Sequence, residues 1–292
     1  MRQQLRSGFG ARTSAHTRDC AMPLCALGRA VELSSQRHMP WNPSAYLAFA
    51  SERLRPALDL LAQVPLERAA RVADLGCGAG NVTRLLVERF PSAELTGVDS
   101  SPEMLARAKS ALPGVRFVEA DIASWQPDAP LDLIFSNAAL HWLPEHARLF
   151  PRLCAWLAPG GCLAVQMPGS FQMPSHTAAR EAALDGPWRG CLKPGEEHAG
   201  VCELRDYHAW LRPLVRNLDL WETTYLHVLE GDDPVTEWFS STLLVPYLEA
   251  LRSEHRAGFL AAYRRRVKAA YPRQGDGRTL MPMRRIFIVA ER

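Results

Sequence analysis

The loop Gly76–Gly80 alternates three glycines, Gly78 being the central one, with Cys77 and Ala79, and it follows an apolar run that contains Asp74. Glycine permits sharp turns and lets a ligand approach the main chain closely. Apolar residues at helical spacing come after the loop, which predicts a strand, a glycine loop and a helix in succession. The amides of such a unit form a site for a polar group that is often anionic. Nucleotide-binding proteins of several chemistries share it, so other residues must decide between them.

Three further polar residues, Asp99, Asp121 and Asn137, each follow a predicted strand. Ligands of parallel α/β sheets bind at the carboxyl ends of the strands. There Asp99 could accept hydrogen bonds from both hydroxyls of a ribose, Asp121 could accept one from an exocyclic adenine amine, and Asn137 could orient a ligand amine or carboxylate. Asp74 could brace the glycine loop. One carboxylate at a strand end is as often a turn former, but four polar residues at successive strand ends favour a nucleoside-type ligand.

The elements that must position these residues alternate between strands and helices, which predicts a parallel sheet with helices on both faces. The predicted strands are the run from Arg71, then Glu94–Val98, Val115–Val118, Leu131–Phe135 and, after a turn at Pro159–Gly161, Cys162–Met167. Three helices are predicted between these strands. The first is capped by Asn81, the second begins at Pro102 after a cap at Ser100 or Ser101, and the third covers Pro144–Trp156.

The alternation loosens beyond the fifth strand. The pattern there predicts a helix over Cys202–Leu214, a long strand over Leu220–Leu229 and a short last strand over Ile286–Ala290. Two segments that are poor in strand signals, residues 168–200 and 231–280, are expected to form a cap over the strand ends.

The second cap segment is predicted to be mostly helical, over Thr236–Leu251 and Arg256–Ala270. Its second helix carries a run of basic residues at 264, 265, 266 and 268. Two interpretations are open: a solvated helix face, which is favoured, and a surface that steers an acidic substrate.

The composition is that of a folded protein, because 47% of the 292 residues are apolar and the formal net charge is only +3. The first 38 residues hold six arginines against two acids, so the remainder is close to neutral. A nucleic-acid binder would keep a basic excess in its folded part, which disfavours that class of protein. No apolar run approaches the roughly 20 residues that span a bilayer. We therefore expect neither a nucleic-acid partner nor a membrane.

The seven cysteines are scattered without a CxxC pair, which favours a reduced cytoplasmic protein over a disulfide framework. Cys191, His198 and Cys202 lie near one another, but a fourth zinc ligand is not evident. No metal site is therefore predicted, and the oligomeric state stays open.

Residues 1–38 are excluded from the predicted fold because they are rich in arginine and lack apolar periodicity. They are interpreted either as a transit peptide or as the result of a translation start assigned upstream of Met39. Residues 39–292 are expected to form the domain. Helical spacing between Trp41 and Leu61 predicts helices ahead of the first strand, and aromatic and basic residues within them could face a ligand.

A dinucleotide-binding loop would place its third glycine three residues after the second, whereas here the glycines alternate and position 81 is Asn. This spacing resembles motif I of the class I S-adenosylmethionine-dependent methyltransferases, and the polar residues at the later strand ends resemble the residues that follow motif I in the same family. The resemblance implies a Rossmann-like, mostly parallel seven-stranded sheet with helices on both faces and a helical cap. It implies S-adenosyl-L-methionine as the cofactor, held by Asp74, Gly76, Cys77, Gly78, Gly80, Asp99, Ser100, Met104, Asp121, Ile122, Asn137, Ala138 and Trp142.

More narrowly, the sequence from Trp41 onward is similar to the trans-aconitate 2-methyltransferases, in particular over Trp41–Pro43, Asp99–Pro102, Asn137–Leu143 and Trp221–His227. This likeness implies methyl transfer to a carboxylate of trans-aconitate or of a closely related small polycarboxylic acid, which gives a monomethyl ester. The substrate contacts that it implies are Trp41, Tyr46, Arg53, His141, Trp142, Tyr225 and Arg285, with His141, Tyr225 and Arg285 as positioning residues.

Such a reaction needs no general base, because a carboxylic acid with a pKa near 4 is already ionised at neutral pH. Orienting two reactants can supply about 7 to 11 kcal/mol, whereas base catalysis is worth about 3 to 5 kcal/mol. We therefore expect in-line displacement without a catalytic triad, with arginines and tyrosines holding the carboxylates that do not react.

Val245 departs from the resemblance, because an arginine is expected before Pro246. The acceptor therefore stays open between trans-aconitate, another small or carrier-bound acid and a hydroxyl compound. A non-catalytic protein that binds S-adenosyl-L-methionine is a second alternative. A nicotinamide-dependent oxidoreductase is disfavoured by Asn81.

Overall fold

The computed structural model describes residues 54–169, 171–192, 201–240 and 242–292. The predictions for residues 1–38 and for Trp41, Tyr46 and Arg53 lie outside the described residues. Within them, seven strands form one sheet: β1 Arg71–Leu75, β2 Glu94–Asp99, β3 Arg116–Glu119, β4 Leu131–Asn137, β5 Leu157–Pro168, β6 Asn217–Leu229 and β7 Thr279–Glu291.

The strands are ordered β3-β2-β1-β4-β5-β7-β6. β1 to β5 are parallel, and β7 runs antiparallel to both β5 and β6. This arrangement confirms the predicted mostly parallel, seven-stranded sheet. It also brings the carboxyl ends of β1, β2 and β4 to one edge, where the predicted site residues follow.

The helices are α1 Arg55–Ala62, α2 Asn81–Arg89, α3 Pro102–Ala111, α4 His146–Ala155, α5 Pro174–Leu184, α6 Leu204–Leu211, α7 Pro234–Phe239, α8 Val245–Ala250 and α9 Ser253–Ala270. Short 3₁₀ turns cover Leu140–Trp142 and Arg212–Leu214. None of these described helices has the length and apolar character that crossing a bilayer would require.

Two layers of helices cover the sheet, which confirms that both faces are buried. α1 and α2 pack on one face, where Leu60 and Leu86 join the core around Phe287. α4 and α6 pack on the other face, where Phe150 and Tyr207 join a separate core. The central parallel strands β1, β4 and β5 are buried on both sides and therefore have near-continuous apolar sequences. Each fully buried Leu or Phe contributes roughly 1.5 to 3 kcal/mol to stability.

The cap has an apolar core of its own, formed by α5, α7, α8 and α9. Trp188 lies at its centre and donates from Nε1 to the carbonyl of Ala182 at 2.8 Å. A Cβ atom on Gly186 or Gly258 would approach the Trp188 ring to 2.5 or 2.7 Å, so both glycines make room for the indole. Described residues of both segments thus share one apolar core, and the prediction that the segments cap the strand ends stays a prediction.

The basic run on α9 forms ion pairs within the cap. Arg264 lies 2.5 Å from Asp233, and Arg266 lies 2.6 Å from Asp185 and 3.4 Å from Glu181. These pairs tie α9 to α5 and to the start of α7. The favoured interpretation as a solvated face was therefore incomplete, and the pairing does not support the interpretation as a steering surface.

In its described residues, the second cap segment contains three helices where two were predicted. The predicted helix over Thr236–Leu251 is interrupted between α7 and α8, and Pro246 stands in the first turn of α8. Proline lacks the amide N–H and is disfavoured inside a helix, but it fits a first turn. The prediction therefore joined two short helices into one.

Several strand and helix boundaries also differ from the prediction, among them the following. Asn81 does not cap α2, because Gly80 is the N-cap and its carbonyl accepts the amide of Arg84 at 3.0 Å. Pro159–Gly161 is an irregularity inside β5, where the register to β4 shifts. The last strand is much longer than Ile286–Ala290, because its first half, which contains Pro282, still pairs with β6.

β6 and β7 pair along their whole length, from Asn217 opposite Glu291 to Leu229 opposite Thr279. The helices α7 to α9 are inserted between the far ends of these two strands. β7 therefore starts in the cap, where Met281 belongs to the cap core, and it ends in the core of the sheet.

Candidate functional site

Three glycines in the left-handed region build the loop after β1, with φ of 78° at Gly76, 53° at Gly78 and 85° at Gly80. Glycine adopts this region without the steric cost that a Cβ atom brings. The amides of Gly76 and Cys77 both donate to the carbonyl of Val98, at 2.8 and 3.1 Å. The loop is thereby tied to the end of β2, and it leads directly into the first turn of α2.

Gly76 also permits a close approach of two segments. A Cβ atom at this position would lie 2.1 Å from the Cβ of Ala139, which follows β4. No side chain fits at that distance without pushing the segments apart. The missing Cβ therefore lets the turn after β4 lie against the glycine loop, where both can contact one ligand.

Asp74 lies beneath the loop, with only 1% of its surface exposed. Its Oδ2 accepts a 2.7 Å hydrogen bond from the hydroxyl of Thr83 in α2. This bond joins β1 to the helix that follows the loop. Burial raises the pKa of Asp74 from 3.8 to about 7; the Thr83 bond lowers this pKa and the charge of Asp99 raises it.

The raised pKa of Asp74 predicts that its charge destabilises the fold at high pH. In the unfolded chain the carboxyl loses its proton at about pH 4, whereas in the folded protein it keeps the proton up to about pH 7. The destabilisation is absent below pH 4, grows between pH 4 and 7 and is complete above pH 7. We therefore expect Asp74→Asn to raise the free energy of unfolding by on the order of 4 kcal/mol at pH 8, and by less than half of that at pH 5.

Urea unfolding of the wild type and of Asp74→Asn at both pH values checks this prediction. Asp128→Asn, a change in an exposed carboxyl at the opposite edge of the sheet, is the control. Equal effects of Asp74→Asn at the two pH values would contradict it.

Asp99 ends β2 and receives a backbone amide on each of its oxygens. Gly78 donates to Oδ2 at 2.8 Å and Ser101 donates to Oδ1 at 2.9 Å. A carboxylate has about four acceptor positions, so about two remain, which is enough for the two hydroxyls of a ribose. The cap of α3 is Ser101 rather than Ser100, because its Oγ accepts the amide of Met104.

The loop after β3 carries Asp121 and Ile122. Asp121 is exposed, and its Oδ1 accepts the amide of Ala123 at 2.8 Å. Arg152 from α4 donates to the carbonyls of Ile122 and Ala123, at 3.1 and 2.5 Å, while its guanidinium lies over the ring of Trp156. α4 therefore holds this loop in shape from outside the site.

Two large apolar side chains stay exposed beside these polar groups. Met104 in the first turn of α3 is 40% exposed, and Trp142 in the turn after β4 is 59% exposed. Apolar surface next to a few hydrogen-bonding groups is typical of a small-molecule site. The predicted cofactor residues therefore combine the two kinds of surface that a nucleoside requires.

The turn after β4 is strained at both ends. Ala138, with φ of 52°, and Glu145, with φ of 57°, adopt the left-handed region without being glycine. Each such residue costs roughly 1 to 2 kcal/mol, and strain of this kind clusters at functional sites. The strained ends present His141 and Trp142 between them.

His146 fastens this turn to α6. Its Nε2 lies 2.9 Å from the carbonyl of Leu140, and its Nδ1 lies 2.6 Å from the hydroxyl of Tyr207. That hydroxyl also accepts the amide of Cys202 at 3.1 Å. A neutral imidazole that donates from Nε2 and accepts at Nδ1 satisfies every partner. Burial lowers the pKa of His146, which favours this neutral form.

Four polar residues lie in a row across the sheet, on the face that α1 covers: Asn137 on β4, Gln166 on β5, Arg285 on β7 and Tyr225 on β6. Asn137 is paired with Gln166, and Arg285 is paired with Pro168, two residues beyond Gln166. Elsewhere this face carries the apolar side chains of the core beneath α1. The polar row therefore marks the point where the core ends and a site can begin.

In this row, Oδ1 of Asn137 and Nε2 of Gln166 are buried without a hydrogen-bond partner among the described residues. Buried polar atoms in folded proteins are nearly always paired. An unpaired acceptor and an unpaired donor at neighbouring strand ends are what a ligand with complementary groups would satisfy.

A cavity of about 250 Å³ lies beside the polar row, between the turn after β4 and the cap. Its basic lining residues are Arg285, His141 and His176, and its described lining includes no acidic residue. Phe171 and Phe239 stand edge-on to His176, with ring centroids at 5.7 and 5.5 Å. The cavity thus combines groups that attract an anion with aromatic walls that suit a carbon skeleton.

The structure brings His141, Trp142 and Arg285 together in this cavity, as the predicted substrate contacts require. It does not place Tyr225 in the lining. The Tyr225 hydroxyl donates to Asp59 in α1 at 2.7 Å, and burial raises its pKa.

Val245 does not line the cavity either, although Thr242 and Leu243 do. Cys77 contributes backbone rather than a thiolate, because its side chain is buried and burial raises its pKa well above the usual range. His198 lies outside the described residues. Among the described ones, no cluster of three or more His, Cys, Asp or Glu could hold a metal ion.

Sequence reasoning missed Gln166 and His176. Gln166 lies inside a run that was interpreted as a plain buried strand, although an amide within five apolar residues was an available signal. His176 lies in a segment predicted only as a cap, and nothing in its spacing ties it to the strand ends.

Comparison with known proteins places this chain in a family. A family model described as a methyltransferase domain matches residues 72–161. The trans-aconitate 2-methyltransferase of Methylobacterium nodulans is 50% identical over 253 residues, which cover 86% of this chain and 98% of the relative. The enzyme of the same name from an Azoarcus species is 50% identical over 86% of this chain and 99% of its own length. The enzyme of this name from Escherichia coli O157:H7 is 46% identical over 86% of this chain and 98% of its own length.

Solved structures agree on the fold. The YcgJ protein of Bacillus subtilis superposes with a TM-score of 0.52 at 17% identity, over 81% of this chain and 97% of that chain. A putative methyltransferase from Bacillus halodurans superposes with a TM-score of 0.50 at 15% identity, over 80% of this chain and 97% of that chain. At these identities the likeness confirms the Rossmann-like fold alone, whereas the relatives that are about half identical also define the family. The chain therefore belongs to the trans-aconitate 2-methyltransferase family, and it is an S-adenosyl-L-methionine-dependent methyltransferase.

Proposed function

We propose that this protein transfers a methyl group from S-adenosyl-L-methionine to one carboxylate of trans-aconitate, or of a closely related small polycarboxylic acid, and forms a monomethyl ester. The observation that carries the proposal is the cavity with Arg285, His141 and His176 and with no acidic residue in its described lining. Carboxylates are attracted to such a lining and would be repelled by acidic neighbours. The names of the relatives support the same acceptor.

The carboxyl edge of the sheet fits the cofactor group by group. The two remaining acceptor positions of Asp99 suit the ribose, and Asp121 with Met104 suits the adenine. The unpaired Oδ1 of Asn137 suits the amine of the methionine portion, beside the loop Gly76–Gly80. When bound, S-adenosyl-L-methionine supplies a methyl group activated by a positively charged sulfonium.

The residues of the cavity would act by positioning the acid. The Arg285 guanidinium can hold a carboxylate that does not react, through two parallel hydrogen bonds. His141 can donate to a further oxygen, and the ring of Trp142 next to it, with centroids 4.8 Å apart, can exclude water. Because the acid is already ionised, no proton has to be removed. Alignment of the reactants is then the main source of rate, worth about 7 to 11 kcal/mol.

A panel of methyl acceptors with radiolabelled cofactor tests the proposed function. We expect label transfer to trans-aconitate and, more weakly, to other di- and tricarboxylates, but none to a monocarboxylate of similar size or to a hydroxyl compound. The labelled product should release its label in mild alkali, because esters are hydrolysed there and ethers are not. Transfer to a hydroxyl compound, or to no acid of the panel, would contradict the proposal.

A related acid is the second candidate acceptor, and Val245 is the observation that favours it. Thr242 and Leu243, just before this position, line the cavity, whereas Val245 itself does not. A valine in place of the expected arginine leaves this stretch of the chain without a positive charge. An acid with one carboxylate fewer than trans-aconitate would then be the preferred acceptor of the panel.

A further inference from the structure

Gln166 combines deep burial with an unpaired hydrogen-bond donor. The residue is 1% exposed, and its Nε2 donates to no described residue. A buried donor without a partner destabilises the fold, and natural sequences rarely keep one without a use. An apolar residue of the same size would pack in β5 at no such cost.

The neighbours of Gln166 indicate where its partner would be. Asn137 is its register partner on β4, and adjacent strands lie about 4.8 Å apart. Their side chains offer an unpaired donor and an unpaired acceptor without bonding to each other. The carbonyl of Gln166 accepts the amide of Ala138 at 2.9 Å, and Ala138 lines the cavity. Gln166 is therefore one strand further from the glycine loop than Asn137. It lies directly behind the lining residue Ala138 and two residues before the lining residue Pro168, and its own side chain is buried beneath the lining.

The next strand supplies Arg285. It is paired with Pro168 and so stands diagonally across from Gln166, which is paired with Phe287. Diagonal neighbours of this kind have their side chains about 7 to 8 Å apart. Across the sheet, Asn137 is thus nearest to the predicted cofactor residues, Gln166 comes next and Arg285 is furthest away.

The amide of Gln166 is neutral and the guanidinium of Arg285 is positively charged, so the two donors suit two different carboxylates of one molecule. A guanidinium binds a carboxylate strongly but offsets its negative charge, which would weaken it as a nucleophile. A neutral amide orients a carboxylate and leaves most of that charge in place. The neutral donor, nearer to the cofactor residues, therefore suits the carboxylate that reacts, and Arg285 suits one that does not.

We propose that Gln166 is an acceptor-binding residue whose Nε2 donates a hydrogen bond to the carboxylate that receives the methyl group. This inference rests on the proposed function. One oxygen of the carboxylate accepts the hydrogen bond, while the other forms the new bond to the methyl carbon. The carbon–sulfur bond breaks, its electron pair stays on sulfur and no proton moves. The hydrogen-bonded oxygen becomes the ester carbonyl and can keep its bond to Gln166.

Gln166→Met tests the inference, because it keeps the length of the side chain and removes the donor. We expect kcat/KM for trans-aconitate to fall about 10- to 100-fold, mainly through kcat. The Kd of S-adenosyl-L-methionine should stay within about twofold of the wild type, since Asn137 and Asp99 are unchanged. The melting temperature should be equal to that of the wild type or higher, because an unpaired buried donor has been removed.

Gln126→Met is the matched control, because Gln126 is exposed near the amino ends of the strands. This variant should leave kcat/KM, the Kd of the cofactor and the melting temperature unchanged. Gln166→Glu is a second variant, in which a carboxylate faces the acceptor, and it should be less active than Gln166→Met. Unchanged kcat/KM in Gln166→Met would overturn this inference but not the proposed function. A variant with weaker cofactor binding and a lower melting temperature would also overturn only this inference. A wild type that methylates no acid would overturn the proposed function and this inference with it.

Discussion

Asp99→Ala is expected to weaken the binding of S-adenosyl-L-methionine by about 100-fold or more. Each hydrogen bond from a ribose hydroxyl to the charged carboxylate is worth about 1.5 kcal/mol or more, and every 1.4 kcal/mol is tenfold in Kd. The variant also leaves the amides of Gly78 and Ser101 without their acceptor, which loosens the loop that faces the ligand. Isothermal titration with the cofactor measures this change directly.

Two further variants make the test of Asp99 specific. Asp99→Asn keeps one acceptor oxygen and should weaken binding less than Asp99→Ala does. Asp128→Ala removes an exposed carboxylate that is paired with Arg116 at the other edge of the sheet, and it should bind normally. Binding that is unchanged in Asp99→Ala would overturn the proposed placement of the cofactor.

Arg285→Ala is expected to lower kcat/KM for trans-aconitate by about 100-fold, mostly through a higher KM. The variant removes the lining residue that can form two charge-assisted hydrogen bonds with one carboxylate. Bonds of this kind are worth about 1.5 to 3 kcal/mol each. The cofactor should still bind, because Asn137 and Asp99 stand on other strands. Steady-state kinetics with varied acid, together with titration of the cofactor, separates the two effects.

Arg284→Ala is the matched control for this loss. Arg284 is adjacent on β7 but points to the opposite face, where its guanidinium pairs with Glu222 and approaches Glu203 to 3.5 Å. Its replacement should change stability more than the KM for the acid. A decline of acid turnover and cofactor binding together in Arg285→Ala would mean that Arg285 has a structural role instead.

Much of the fold could be predicted from the sequence, because local patterns decide it. The buried parallel strands are short apolar runs, and Gly76 and Gly80 mark the loop whose backbone only glycine adopts easily. The strand ends at Asp99 and Asn137 follow from the same runs. These features depend on residues close in sequence, and the structure places them at one edge.

The rest depends on contacts that sequence spacing does not encode. The start of β7 was missed because Pro282, a residue that is disfavoured in strands, interrupts it, and its pairing with β6 is not visible in the sequence. The proposal for Gln166 depends on Asn137 and Arg285, which flank it on the two neighbouring strands. Tyr225 had an aromatic hydroxyl suited to an acid, but a partner 166 residues away, Asp59, holds it. Such partners are set by topology rather than by periodicity.

The insertion of α7 to α9 between β6 and β7 makes the acceptor side of this protein modular. For the sheet, the whole insertion is an enlarged hairpin connection, because Leu229 and Thr279 are already paired where it begins and ends. Helices there can be lengthened, shortened or exchanged in evolution without a change of register in any strand. The Gly76–Gly80 loop belongs to the other half of the sheet and is untouched by such an exchange. New acceptors can therefore be acquired by changing this insertion while the methyl donor stays the same.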